Sequence, residues 1–191
     1  SLFEAIDSQR AIRQFTDDPV PQDAIARILR AAIRAPSPSN RQGWHFLVIR
    51  DPDVKKRIGE IYWRATQEAQ QESPPNLMEA NTARIHKSAD DLARRIGKVP
   101  VLIMACLEIR TAGPSSRGTL TLGAAIYPAV QNLMLAARGL GLGTCLTTRH
   151  RRFEQETKKL LGIPETMDTA ALIALGYPGG EDHFGGSRRV P

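Results

Sequence analysis

The chain has 191 residues, 41% hydrophobic and 24% charged, the balance of one folded, water-facing domain, which excludes the disordered and fibrous classes. No apolar run approaches the roughly 20 residues that a membrane helix needs, and the opening SLFEAIDSQR has no signal-peptide pattern, so a cytoplasmic protein without a membrane partner is expected. The 26 Lys and Arg against 20 Asp and Glu give a net charge of +6, which permits an anionic ligand, whereas 5% aromatic residues and the lack of a recognised module make nucleic acid an unexpected partner.

Residues 2 to 9 read as a short helix, followed by Arg10 to Phe15, in which Arg10 and Arg13 would share a direction in a helix or turn. Ile25, Ile28, Leu29, Ala32 and Ile33 recur at helical spacing through 21–34. Pro36 and Pro38 then stop that helix, because each lacks an amide donor and turns the preceding residue away from helical dihedrals. The loop that follows carries Ser37, Ser39, Asn40 and Gln42, and a polar loop at the end of a rigid element is a place for binding as well as an ordinary connection. A strand is predicted at 45–49, and a helix over about 54–70 capped by Asp51 or Asp53. Two prolines interrupt 71–81, which is either a lid or a surface linker. A polar helix follows over 82–97, then a fully buried strand over 99–107.

The longest helical stripe runs from about Leu120 to Arg138 and ends in GLGLGT, Gly139 to Thr144. Glycines at a helix end serve as C-caps; close approach of backbone to a flat ligand is the competing use for Gly141 and Gly143. The spacing is not a dinucleotide fingerprint, since it follows a helix and precedes a strand. A strand over 145–148, a basic helix over 151–161, a strand over 169–175 and a polar tail complete a chain with no internal repeat or domain boundary.

Several chemistries lack their residues. No GxSxG elbow accompanies the serines, and His45, His86, His150 and His183 are scattered. Cys106 and Cys145 lie in apolar segments without metal-ligand neighbours, so buried free thiols and no metal are expected. What remains is an arginine pair, a Pro/Ser/Asn loop, a Gly loop and the terminal pair Arg188 and Arg189, a set suited to a large phosphate-bearing ligand.

This order of features resembles the nitroreductase family of flavoproteins. The family's R-R-S-x-R-x-F is matched by QRAIRQF, Gln9 to Phe15; its A-P-S-x-x-N-x-Q-P-W by APSPSNRQGW, Ala35 to Trp44; its Q-N-x-x-L-A-A-x-x-L-G-L-G-S by QNLMLAARGLGLGTCL, Gln131 to Leu146; and its closing strand and basic tail by LGYPGG and GGSRRVP. The resemblance implies one α+β domain over 1–191 around a small mixed sheet flanked by helices, an intertwined homodimer and FMN at its interface, with 71–81 as a candidate lid and 180–191 packing on the partner subunit or the phosphate. Gln9, Arg10, Ala11 and Arg13 would lie at the ribityl phosphate and pyrimidine end, with Arg188 and Arg189 closing on the phosphate. Pro36, Ser37, Pro38 and Asn40 would line the ring, and Leu142, Gly143 and Thr144 would reach its other side. Gln9 and Ala11 depart from the family's arginine and serine, removing one charge and one hydroxyl. The implied activity is ping-pong reduction of a nitroaromatic, quinone or similar small electron-poor acceptor by NAD(P)H, with no protein group as catalytic base. Reductive dehalogenation, flavin fragmentation and non-catalytic flavin binding are the alternatives on the same scaffold.

Overall fold

Two stretches with almost no polar residue, VLIMACL and AALIAL, can only be satisfied where both faces of a sheet are covered, and they form its two central strands. The computed structural model of the protein describes residues 1–72, 80–109 and 119–186. Its sheet has the order β1-β2-β4-β3, with β1 at Trp44–Ile49, β2 at Val101–Glu108, β3 at Gly143–Thr147 and β4 at Met167–Gly176. Strand side chains alternate between faces. Val101, Ile103 and Ala105 of β2 therefore join Ala171 and Ile173 of β4 under α2 (Gln22–Ala32) and α5 (Thr119–Gly139). Leu102, Met104, Cys106, Leu172 and Ala174 face α3 (Pro52–Glu72) and α4 (Ala80–Arg95) on the other side. The remaining helices are α1 (Leu2–Ser8) and α6 (Glu154–Leu161).

The fold is the α+β arrangement expected, with one refinement of the mixed sheet. All three strand pairings are antiparallel, and the parallel component is a single bridge, Ala11 to Thr144, which lays the N-terminal segment along the outer edge of β3. Periodicity carries no information on strand direction, which is set by connections across the whole chain.

Local signals account for several helix ends. Ser1 and Glu4 form a capping box on α1, the Ser1 hydroxyl accepting from the Glu4 amide at 3.1 Å. Asp51, rather than Asp53, caps α3, accepting from the amides of Asp53 and Val54 at 3.0 and 2.9 Å. The basic helix predicted over 151–161 divides: Arg149–Phe153 is a 3-10 turn and α6 begins at Glu154, ending on left-handed Gly162. Lys55 is buried against the 3-10 turn Ile96–Lys98 and donates to the carbonyls of Val99 and Pro100 at 2.8 and 3.0 Å, while burial pushes its pKa down. Of the candidate lid 71–81, residues 73–79 lie outside the described residues.

Candidate functional site

The site is built outward from residues 9–16, which leave α1 through Gln9 in an extended conformation and never become helical. The Ile12 amide donates to the Thr144 carbonyl at 2.9 Å, and Phe15 pairs with Pro178 in an antiparallel bridge. The segment is therefore held between β3 and the residues that follow β4. Asp182 completes the clamp, its carboxylate accepting from the amides of Arg13 and Gln14 at 2.5 and 2.9 Å.

An extended segment points residues three apart to opposite sides. Arg10 and Arg13 thus do not share a direction, as a helix or turn would have required. Ala11 and Phe15 pack against the α3 side, and between them Arg13 comes close enough to Cys145 for its guanidinium to oppose part of the upward shift that burial imposes on that thiol. Among the described residues neither Arg10 nor Arg13 forms an ion pair with a carboxylate. Both departures from the family motif have a local reason. The Gln9 amide turns onto the Met134 sulfur of α5 at 3.9 Å, a half-buried position unsuited to a second guanidinium, and Ala11 gives its methyl to the core.

The GLGLGT stretch separates into two roles. Gly141, at φ +75°, is the left-handed residue of a Schellman end: its amide donates to the Arg138 carbonyl at 3.0 Å and the Leu142 amide to that of Ala137 at 2.9 Å. Gly143 caps nothing. A Cβ there would stand 2.8 Å from Ile12, so the missing side chain is what lets the arginine-bearing segment lie on β3.

The Pro/Ser/Asn loop is extended at Ser37, as the prolines predict, and then strained. Ser39, Asn40 and Gln42 hold φ of 51°, 52° and 53°, uncommon for residues other than glycine. The Ser37 hydroxyl accepts from the Gln42 amide at 3.0 Å and Asn40 Oδ1 from Gln42 Nε2 at 3.1 Å, which leaves the Ser37 O–H and the Asn40 side-chain Nδ2 to donate outward. Pro36, Pro38 and Asn40 are exposed.

This loop and the arginine segment do not meet within one chain. The loop enters β1 at Trp44, in register with Leu107 and so with Asp168 near the start of β4. Gly143 opposes Gly176 at the end of β4, and β1 and β3 are the two flanking strands. Eight residues along β4 and three strand spacings across put the two groups at diagonal corners, about 26 Å apart lengthwise and about 14 Å crosswise. Of the tail, residues 180–186 pack on their own chain: Gly185 donates to the Ser8 carbonyl at 3.1 Å, and Arg138 covers the Phe184 ring at 4.2 Å. Arg188 and Arg189 lie outside the described residues.

Sequence reasoning missed Asp182, and it missed a cleft between α3 and α4 lined by Tyr62, Gln70, His86, Asp90 and Arg149. The only hint was a phenol, Tyr62, on the buried stripe of α3. Burial pushes that phenol up, a hydrogen bond with Thr147 opposing the shift, and Tyr62 packs in the same cluster as Cys145 of β3, with Ala11 and Phe15 against it. Both cysteines are free and buried, the Cys106 thiol pushed up to about 11 by burial, so neither offers a thiolate at neutral pH. Among the described residues no group of His, Cys, Asp and Glu could hold a metal, and no helix is long and apolar enough to cross a membrane.

Comparisons with known proteins agree with this geometry. The model of the nitroreductase family matches residues 6–177. An NADH dehydrogenase of Thermus thermophilus is 32% identical over 196 residues, covering 96% of this chain and 88% of that protein. Iodotyrosine deiodinase 1 of Rattus norvegicus is 27% identical over 184 residues, covering 93% of this chain and 62% of its own length. Among solved structures, iodotyrosine deiodinase bound to FMN and 3-iodo-L-tyrosine superposes with a TM-score of 0.78 at 22% identity, covering 100% of this chain and 97% of that one.

Proposed function

The chain belongs to the nitroreductase family, and from that premise we propose that it is an FMN-dependent oxidoreductase that takes electrons from NAD(P)H and passes them to a small electron-poor acceptor such as a nitroaromatic or a quinone. The observation that carries the reading is the pair of arginines, without carboxylate partners among the described residues, on a segment pinned to β3. FMN, when bound, supplies the centre that accepts and returns a hydride.

The donor set fits that group. Arg10 and Arg13, on opposite sides of their segment, match between them its phosphate and its pyrimidine end, and on the phosphate a guanidinium fork bonds two oxygens at once. The outward donors of Ser37 and Asn40 match the carbonyl and nitrogen acceptors of a flavin ring, and Leu142, Gly143 and Thr144 belong to the site on its opposite side by motif position. Arg188 and Arg189 belong to the proposed phosphate site by motif position. Gln9, half-buried on Met134, and Ala11, packed in the core, hold the segment in place.

One FMN cannot bridge the diagonal between the two halves of this set, so the loop at Pro36, Ser37, Pro38 and Asn40 is supplied by a second copy of the chain. The homodimer that this requires would also cover the outer face of α1, where Leu2, Phe3 and Ile6 are 65%, 76% and 50% exposed. No side chain among these is placed to act as a general base. The two substrates occupy the site in turn, and residues 71–81 are proposed to close over it.

The purified protein is expected to be yellow, to release FMN on denaturation and to run as a dimer. In an anaerobic titration, NADH or NADPH should bleach it, and a quinone or nitroaromatic should restore the colour. A colourless protein sinks the flavin reading; a yellow protein bleached by neither nicotinamide is a flavin-binding module. The likeness to iodotyrosine deiodinase keeps reductive dehalogenation as a second reading, tested by adding a halophenol as the oxidant and measuring halide release.

A further inference from the structure

The 3-10 turn Ile96–Lys98 lies against α3, and two glycines make that contact possible. A Cβ on Gly97 would stand 2.8 Å from the Lys55 carbonyl oxygen and 3.3 Å from Lys56 Cα, and one on Gly59 would stand 3.1 Å from Gly97. Bare backbone on both sides leaves a groove of about 600 Å³ above the contact, bordered by α3 from Pro52 to Trp63 and by the chain from Arg94 to Lys98. That volume lies in the range of small-molecule sites.

Four cations line the groove, Lys55, Lys56, Arg94 and Lys98, against one carboxylate, Glu60. None of the four forms an ion pair among the described residues. Lys55 is 9% exposed, and its ammonium donates to the Val99 and Pro100 carbonyls, which satisfies its hydrogen bonds and leaves its charge without a counter-ion. A buried charge in that state favours an anion nearby. The backbone contact sets Lys55 and Lys56 beside Gly97, and so next to Lys98, at one end of the groove. At the other end the exposed Arg94 lies over the Trp63 ring, its guanidinium carbon 4.1 Å from the centroid. A guanidinium held on an indole is a platform on which a further flat ring can stack. Seven residues of α3 separate Lys56 from Trp63, about 10 Å along the helix. The groove therefore has an anion end and a stacking end.

We propose that this groove is a second ligand site, for a purine mononucleotide, with the phosphate at Lys56 and Lys98 and the base stacked on Arg94. A mononucleotide joins a dianion to a flat ring across such a span, whereas inorganic phosphate supplies only the first and a nucleoside only the second. The site shares no residue with the proposed flavin site and does not depend on the oxidoreductase reading. Its ligand takes no part in electron transfer.

The test titrates the protein as purified, by calorimetry, with AMP, adenosine and inorganic phosphate. The wild type should take up one AMP per chain, roughly tenfold or more tightly than adenosine or phosphate, the ratio expected when charge-assisted contacts are added to stacking, and its flavin absorbance should not change. Lys98→Gln should weaken AMP about tenfold and leave adenosine within about twofold. Arg94→Leu should weaken AMP and adenosine alike and leave phosphate within about twofold. Both side chains are exposed, and unchanged thermal unfolding checks that each variant keeps the fold. Four results overturn the proposal: no binding of AMP, release of flavin by AMP, phosphate bound as tightly as AMP, or AMP affinity that survives both substitutions. A colourless protein that still binds AMP through Arg94 and Lys98 fails the flavin reading alone.

Discussion

Replacing Gly143 by alanine tests how the arginine segment is seated. The new Cβ would lie 2.8 Å from Ile12 Cβ and Cγ2 and 2.9 Å from Cγ1. Carbon atoms rest at about 3.5–4.0 Å, so the overlap is at least about 0.7 Å, against a side chain with no exposed surface. Ile12 cannot turn away, because its β carbon is one of the clashing atoms, and the backbone of 11–13 must lift from β3. Overpacking of this kind costs about 1–3 kcal/mol, and loss of the 2.9 Å Ile12–Thr144 hydrogen bond adds about 1 kcal/mol. Gly143→Ala should therefore destabilise the fold by about 2–4 kcal/mol. Two neighbours serve as controls. Gly141→Ala meets no atom within 4 Å but forces a side chain into the left-handed region, for about 1 kcal/mol, and Gly139→Ala, equally open, should be neutral or slightly stabilising. Urea unfolding at fixed protein concentration, read with flavin retention, orders the three. If Gly143→Ala unfolds with Gly139→Ala, or loses flavin at unchanged stability, the glycine serves a ligand and not Ile12.

Arg13→Ala should weaken FMN by roughly 1.5–3 kcal/mol, about ten- to a hundredfold in Kd, measured by flavin fluorescence on dilution; unchanged affinity places the phosphate elsewhere. His150 is 1% exposed with neither ring nitrogen hydrogen-bonded among the described residues, and burial holds its pKa down at about 4 against 6.5 in the unfolded chain. Its neutral form is the one that folds, so stability falls as the pH drops from 6.5 through 4, by about 3 kcal/mol once below 4. His150→Leu should flatten that part of the profile, and an unchanged slope would assign it to other groups. Lys55→Met should cost about 2 kcal/mol in thermal unfolding by leaving the Val99 and Pro100 carbonyls without their donor, whereas a neutral result would show that water replaces it.

The elements were legible in the chain because their signals are local. The apolar runs at 101–107 and 170–175 announce strands buried on both faces, and the stripe ending at Arg138 announces α5. The Ser-x-x-Glu at Ser1 to Glu4 is an equally local signal, a capping box. What sequence did not show depends on partners far along the chain. Gly141 and Gly143 look alike in GLGLGT, and only the arrival of Ile12 separates them. Arg10 and Arg13 take opposite sides because β3 and the residues after β4 hold their segment extended.

The Asp182 clamp has a consequence for biosynthesis. Its bond to the Arg13 amide joins residues 169 positions apart, and at about 5–20 residues per second a ribosome needs roughly 10–30 seconds to travel from one to the other. For most of that time the segment bearing both arginines lacks β3, and for all of it Asp182, two of the groups that keep it extended. Its seating is thus among the last events of folding, and a nascent chain has no means of capturing a phosphate-bearing ligand there until nearly all of these residues have left the ribosome.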